Sequence, residues 1–376
     1  MDKRILLSTP TMHNEELGFV QEAFDRNWIA PLGFNCDNFE KEMSNYLGNG
    51  LDSEYHTLAL CSGTAALHLA LKLAEVKSGD KVFCSDMTFA ATVNPVSYEG
   101  GEQIFIDAER DSWNMDPEAL DFAFKKYPEV KVVVLAHLYG VPAKMDEILD
   151  VCNRHGAILI EDAAEALSAT YKERECGTFG QYNAISFNGN KIITTSGGGM
   201  LITPDKQARE KAFFWSTQAR EKAYWYQHEE IGYNYRMSNV VAGIGRGQLI
   251  HLNEHRDLKE KIYRRYEKGL KDLPITMNPY LDCTKPNFWL SCLTINPEIN
   301  KKPIEILEKL DKLNIETRPI WKPMHMQPVF KGREFISVSN SPVSEDIFAR
   351  GLCLPSDIKM TEEEQDYVIK CIKECF

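Results

Sequence analysis

Between residues 57 and 203 the chain repeats one pattern: a short unbroken apolar block, a turn, then a helix-like stretch. The blocks are TLALCS, KVFCS, QIFID, KVVVLAHLYG, AILIEDA, NAISFN and GMLIT. Strands that are apolar without alternation are buried on both faces. Joined by stretches such as TAALHLALKLAEV and MDEILDVCNRHG, they predict βαβ units with right-handed crossovers and a mostly parallel sheet. Gly156 suits the stop of the second of these helices. In such sheets ligands gather beyond the carboxyl ends of the strands. The polar residues that follow each block are therefore the candidates for chemistry.

After about residue 245 the pattern changes. GQLIHLNEHRDLKEKIYRRYEKGLKDL predicts one long amphipathic helix. A strand at NFWLSCLTI, a helix at PIEILEKLDKLN, the segment IETRPIW and a closing helix at TEEEQDYVIKCIKECF follow. We expect a large domain over 1–245 and a smaller C-terminal α+β domain, entered by the long helix, over 246–376.

Composition narrows the function. The net charge of −12 over 376 residues leaves no basic excess for a general nucleic-acid binder. No apolar run is long enough to span a bilayer as a helix, and the start MDKRILLSTPTMHNEE turns acidic too soon for a signal peptide. Ten cysteines at scattered spacings, without a CxxC, fit reduced thiols in a cytoplasmic enzyme. Cys371 and Cys375 lie four apart, but no histidine or second cysteine pair joins them, so no metal site is expected.

Four strand ends carry the chemistry. In CSGTAALHL a strand runs into Ser62-Gly63-Thr64 and a helix begins. A helix N-terminus presents free N–H groups that suit a phosphate, though a plain capped helix fits equally. Glu161 and Asp162 end the ILIED block, where charge is expensive unless used or paired. Asp162 suits a protonated heteroaromatic nitrogen, and also a helix cap. In SFNGNKIITTSGGGM, Lys191 sits between turn-forming residues and stiff β-branched chain. A lysine placed in this way suits covalent capture of an aldehyde; a solvated surface lysine is the plainer reading. Ser186, five residues earlier, ends a strand where a hydroxyl suits the same phosphate. Phe89 follows another strand end, where its ring suits stacking on a flat cofactor or burial in a core.

Together these groups match what pyridoxal 5'-phosphate requires: a phosphate cradle, a carboxylate, an amine and a ring on one sheet edge. Competing motifs are weaker. GIGRGQ (243–248) follows no strand and reads as small-residue helix packing, and SGGGM lacks the GK[ST] of a P-loop. A nicotinamide-dependent oxidoreductase would share the sheet but lacks its glycine fingerprint.

SGTAALHLAL, EDAAEAL, GTFG, SFNGNKIITTSGGGM and GYNYRMSN resemble the DegT/DnrJ/EryC1/StrS sugar aminotransferase family across essentially the whole chain. NWIAPLG, STQARE, IGYNYRMSN and RPIWKPMH are most similar to UDP-sugar C4 aminotransferases of bacillosamine-type pathways. The resemblance implies the aspartate-aminotransferase fold, that of a fold type I pyridoxal-phosphate enzyme, and a homodimer with shared active sites. It makes Lys191 the cofactor-bearing lysine and Asp162 the partner of the pyridine nitrogen. Gly63, Thr64 and Ser186 become phosphate ligands, Phe89 the stacking ring, and Glu165 a neighbour of the cofactor's 3-hydroxyl. Many relatives carry Gln at the last position. Asn234 matches a phosphate contact donated by the opposite subunit. Trp321 and His325, with Arg318 nearby, fall in a segment that lines the nucleotide-sugar site of relatives. Trp28 offers a further aromatic contact, and Arg236, Arg318 or Lys322 a cation for the diphosphate.

The implied reaction is transfer of an amino group from L-glutamate to C4 of a nucleotide-linked 4-keto-6-deoxy sugar. UDP-2-acetamido-4-keto-2,6-dideoxyglucose is the first expectation and a GDP-linked 4-keto-6-deoxymannose, as in perosamine synthesis, the second. A non-catalytic relative that only binds pyridoxal phosphate is a third reading, which the retained Lys191 disfavours.

Overall fold

A computed structural model describes residues 3–48 and 55–376. Residues 1–2 and 49–54, which fall in the expected large domain, lie outside the described residues. The strands are β1 (His56–Leu60), β2 (Lys81–Ser85), β3 (Glu102–Ile106), β4 (Val132–Ala136), β5 (Ile158–Asp162), β6 (Thr170–Tyr171), β7 (Arg174–Glu175), β8 (Tyr182–Ser186), β9 (Gly199–Thr203), β10 (Ile275–Met277), β11 (Thr284–Lys285), β12 (Ser291–Ile295), β13 (Arg318–Pro319), β14 (Glu334–Ile336) and β15 (Gly351–Leu354). The helices are α1 (Glu15–Asp25), α2 (Phe34–Leu47), α3 (Gly63–Leu73), α4 (Ala90–Tyr98), α5 (Pro117–Lys126), α6 (Met145–His155), α7 (Lys206–Ser216), α8 (Asn239–Ile250), α9 (Leu252–Leu270), α10 (Pro303–Lys312), α11 (Val343–Arg350) and α12 (Glu362–Lys373).

The main sheet has eight strands in the order β1-β9-β8-β5-β4-β2-β3-β14. Only β9 runs against the rest; the pairs from β8 to β14 are parallel. β4, VVVLA, is buried at every position, as its unbroken apolar run requires. One face of the sheet is covered by α3, α4 and α7. The other is covered partly by α2 and α8 and partly by α5 and α6. Local signals start and stop these helices. Ser62 caps α3, Asp116 caps α5 with Pro117 at its first position, and Gly156 ends α6 in the left-handed region at φ 61°.

The predicted single helix over 247–273 is instead two. α8 ends and α9 begins around His251, whose φ of −101° and ψ of 4° leave the helical region. The break has a packing cause. The glycine side of α8 lies on α1 and α2; a Cβ on Gly245 would meet the Phe39 ring at 2.6 Å. The apolar stripe of α9, Ile262, Tyr266 and Leu270, lies instead in a second core. One straight helix cannot present both faces. GIGRGQ is thus helix packing, as its sequence suggests.

A second, antiparallel sheet has the order β10-β12-β15-β13. Cys371 and Cys375 are buried in its core. The two layers interleave along the chain. β14, far beyond residue 246, joins the main sheet parallel to β3, while Ile5 bridges Ile315 beside the second sheet. Where the layers meet, Met87, Trp113, Tyr139, Trp289 and Ile320 form an aromatic-rich core with Trp321 packed on it. Among the described residues, no helix is long and apolar enough to cross a membrane.

Candidate active site

Lys191 lies in the connection between β8 and β9. Because these strands are antiparallel neighbours, the connection folds back on itself: Phe187 N–H donates to the Gly198 carbonyl at 2.9 Å, and Thr195 N–H to the Phe187 carbonyl at 3.0 Å. The segment after the lysine is held from behind. His255 Nδ1 donates to the Ile192 carbonyl at 2.8 Å, and Thr194 N–H donates to Gln248 Oε1 at 3.2 Å. The Lys191 side chain is mostly buried and points into a cavity of about 280 Å³. Its Nζ lies 3.4 Å from Glu165 Oε1 and 4.2 Å from the centre of the Trp289 ring.

Asp162 ends β5 on the wall of the same cavity. Its Oδ2 accepts from Thr92 Oγ1 at 2.6 Å and its Oδ1 from the Ala164 N–H at 3.0 Å. Burial pushes its carboxyl above the ordinary range; the Thr92 and Ala164 hydrogen bonds and the charges of Lys191 and His137 oppose this. A buried carboxyl poised in this way ionises fully once a cation is set against it. Glu165 Oε2 accepts from Tyr139 N–H at 2.7 Å. Burial raises Glu165 to about 7, against the pull of the Lys191 charge.

The neighbouring Glu161 does something different. Its oxygens accept from the N–H groups of Gly177 (2.5 Å), Phe179 (2.8 Å) and Gly180 (3.3 Å), and from His137 Nε2 (2.8 Å). It is the anchor of the GTFG loop. Among the described residues, His137, Glu161 and Cys176 form the one group of three metal-capable side chains, within 4.8 Å. With Glu161 filled by amides and His137 Nδ1 accepting from Ala143 N–H at 3.1 Å, these contacts are hydrogen bonding of the loop.

On the wall of the same cavity Ser62 accepts the Ala65 N–H at 3.0 Å. That leaves the amides of Gly63 and Thr64 as the first-turn donors without a partner inside the helix. Ser186 lies beside them; a Cβ on Gly63 would meet the Ser186 Cβ at 3.0 Å. Gly199 permits the crossing of β9 over this turn, since a Cβ there would lie 2.3 Å from the Gly63 nitrogen. Phe89, 58% exposed at the start of α4, and Trp321 face each other across the cavity mouth with ring centres 5.4 Å apart. A second cavity, of about 480 Å³, shares Phe89, Asn190, Trp289 and Trp321 with the first and carries Arg318 and Lys322 on its wall.

The sequence profile of the DegT/DnrJ/EryC1/StrS aminotransferase family matches residues 10–373. The chain belongs to that family. EpsN of Bacillus subtilis (strain 168), provisionally described as a pyridoxal phosphate-dependent aminotransferase, is 46% identical over 100% of this chain and 97% of its own length. A protein of Caulobacter vibrioides (strain ATCC 19089 / CIP 103742 / CB 15) named GDP-perosamine synthase is 33% identical over 98% of this chain and 97% of its own. A DegT/DnrJ/EryC1/StrS aminotransferase from Brucella abortus superposes with a TM-score of 0.87 at 26% identity, covering 96% of this chain and 95% of that one. The fold is therefore the aminotransferase α/β fold, the activity is sugar aminotransfer, and the cofactor is pyridoxal phosphate.

The cavity fits this DegT-family cofactor on its own geometry. Partnerless helix amides and a buried carboxyl with unused acceptor capacity line the wall, and an amine and an exposed ring border the same space. When bound, pyridoxal phosphate supplies a ring that takes up the electron pair left by a broken C–H bond.

Of the expected residues, Lys191, Asp162, Glu165, Gly63, Thr64, Ser186, Phe89 and Trp321 line the first cavity. Arg318 is exposed, pairs with Glu316 at 2.7 Å and lines only the second. Two expectations are corrected. Arg236 is buried and offers no free cation to a diphosphate: its guanidinium bonds Glu40 and, at 2.7 Å, the Ala59 carbonyl. Glu40, itself buried, also accepts from the Ala59 N–H and from Arg209 at 2.7 Å, so Arg236 is held in a buried cluster that lines neither cavity. His325 does not reach either cavity. Its Nδ1 bonds Asp86 at 2.7 Å, its Nε2 lies 3.3 Å from Glu345, and its ring stacks on Phe335. Burial alone would lower its pKa, but Asp86 and Glu345 outweigh it and raise it.

Trp28 and Asn234 line neither cavity of their own chain. Trp28 is half exposed and donates to the Leu32 carbonyl in its own loop. Asn234 is exposed and bridges Thr217. Sequence reasoning missed Trp289 and Tyr139. The latter is held at φ 54° with its hydroxyl accepting the Trp321 N–H at 2.9 Å.

Proposed function

We propose that the chain transfers an amino group from L-glutamate to C4 of UDP-2-acetamido-4-keto-2,6-dideoxyglucose, giving the 4-amino sugar nucleotide. The observation that carries this reading is the second cavity opening off the first. An uncharged sugar ring suits the Phe89 and Trp321 side of the shared wall, and the diphosphate suits the Arg318 and Lys322 side. In this reading Lys191 carries the cofactor and moves the proton between substrate and cofactor carbons. Asp162 keeps the pyridine nitrogen protonated, and Gly63, Thr64 and Ser186 hold the phosphate. Phe89 stacks on the ring and Glu165 lies by the 3-hydroxyl. The working unit is a cytoplasmic homodimer in which the exposed Asn234 reaches the partner's phosphate and Trp28 the shared sugar site. Residues 1–245 supply most of the cofactor-binding layer and 246–376 most of the smaller one, with β14, Trp289 and Trp321 crossing the expected boundary.

A GDP-linked 4-keto-6-deoxymannose is the second reading, favoured by the relative named GDP-perosamine synthase. The test is kcat/KM for the two sugars at matched glutamate, since specificity is that ratio. We expect the UDP sugar to lead by tenfold or more, about 1.4 kcal/mol of transition-state preference. A tenfold lead for the GDP sugar overturns the substrate while leaving the family and cofactor intact. Conversion of the loaded enzyme by glutamate alone separates an enzyme from a silent binder.

A further inference from the structure

The Trp289 ring beside Lys191 is fixed from both ends. Its Nε1 donates at 2.6 Å to the carbonyl of Asn190, the residue before Lys191, and its own carbonyl accepts from Lys259 Nζ at 3.0 Å. Lys259 is buried on α9, and its Nζ also donates to Ser8 Oγ at 3.2 Å and to the Ser356 carbonyl at 2.6 Å. An ammonium has three donors, and these three acceptors use them all. Ser8 Oγ donates in turn to the Asn190 carbonyl at 3.2 Å. The clamp thus ties α9, the second sheet and the N-terminal segment to the lysine turn.

We propose that Trp289 is a further residue of the reaction centre: its ring steadies the ammonium that the freed Lys191 amine becomes on taking up a proton, and Lys259 is the positioning residue that fixes the ring. This rests on Lys191 being the cofactor-bearing lysine. A freed lysine must take up a proton as the neutral amine and then hold it close to the reacting carbon without being locked away. An aromatic face attracts a cation without directional hydrogen bonds, so the amine can swing back. The titratable groups that share its surroundings are Glu165 at 3.4 Å and, on the same cavity wall, Asp162, His137 and Cys61. Glu165 and Asp162 also favour the ammonium, and the ring adds to them without a directional hydrogen bond.

The full chain, loaded with pyridoxamine phosphate, leaves Lys191 free. Trace acetylation of amines across a pH series, followed by peptide mapping, then reads the titration midpoint of Lys191. Leucine keeps the amine shielded from water but lacks the ring. We expect Trp289→Leu to lower the midpoint by about one pH unit, with smaller drops in Trp289→Phe and Lys259→Met. An unmoved or raised midpoint in Trp289→Leu overturns the proposal. Should that variant fail to fold, unmoved midpoints in the other two overturn it. Borohydride reduction of the pyridoxal-phosphate-loaded wild type, mapped to its peptide, tests the underlying assignment separately. A label on another lysine overturns the role of Lys191, whereas a label on Lys191 with an unmoved midpoint overturns only the role of Trp289.

Discussion

The hydroxyl of Thr92 donates to Asp162 Oδ2 across 2.6 Å, joining the first turn of α4 to the end of β5. The same helix carries Phe89 at its start, so the exposed ring and the buried carboxyl are set in one frame. Removing that donor leaves Asp162 more costly to ionise. Thr92→Val is expected to lower kcat about tenfold, from loss of a charge-assisted hydrogen bond of about 1.5 kcal/mol, with the cofactor still bound. Asp162→Asn is expected to bind cofactor and nearly abolish turnover. Steady-state rates and the cofactor absorbance of both variants check this; near-normal turnover in Asp162→Asn contradicts the role.

Lys191→Ala is expected to fold, with wild-type far-ultraviolet dichroism, and to lose the covalent link to the cofactor. Borohydride then fixes cofactor to wild type but to no peptide of the variant. A label persisting at another lysine refutes the assignment.

Exposed Asn234 lines neither cavity described above, and if it serves a partner's site its loss should be rescued by another subunit. Lys191→Ala and Asn234→Ala chains, each inactive alone, are expected to regain activity when mixed and refolded together, because one hybrid site is intact. A fully active monomer by sedimentation and assay refutes the shared site.

Glu175, in β7, is buried, and its Oε2 has no hydrogen-bond partner. Burial raises its pKa to about 7, against the charge of Arg256. The folded chain therefore keeps a proton that the unfolded chain loses near pH 4.5. Stability from this group is complete below that pH and is lost as pH rises toward 7. Glu175→Gln is expected to match wild type in denaturant midpoint near pH 4.5 and to exceed it by about 3 kcal/mol above pH 7.5. A gain equal at both pH values contradicts the account.

The residues that the main sheet brings to the first cavity were legible because each follows an apolar block, and parallel strands bring their carboxyl ends to one edge. Lys191, Asp162, Ser186 and the Gly63-Thr64 turn needed no knowledge of distant packing. Trp289 was hidden inside NFWLSCLTI, where an aromatic reads as strand core; only the Asn190 carbonyl, far away in sequence, turns it toward the amine. Arg236 and His325 misled for the converse reason. Their carboxylate partners Glu40 and Asp86 lie far from them along the chain, so nothing local showed that their charges were already answered. β14 was missed because three residues after a run of turns carry no periodicity. The break at His251 was missed because both halves of that segment read as helix.

β14 also sets an order of events during synthesis. The main sheet receives its last edge strand from residues 334–336, more than one hundred residues after β9. Until the ribosome has delivered that segment, β3 presents an unpaired parallel edge, the kind of surface that recruits strands from other chains. A fragment ending near residue 245 would hold most of the reaction centre and still be a poor candidate for expression, because it would carry that open edge permanently.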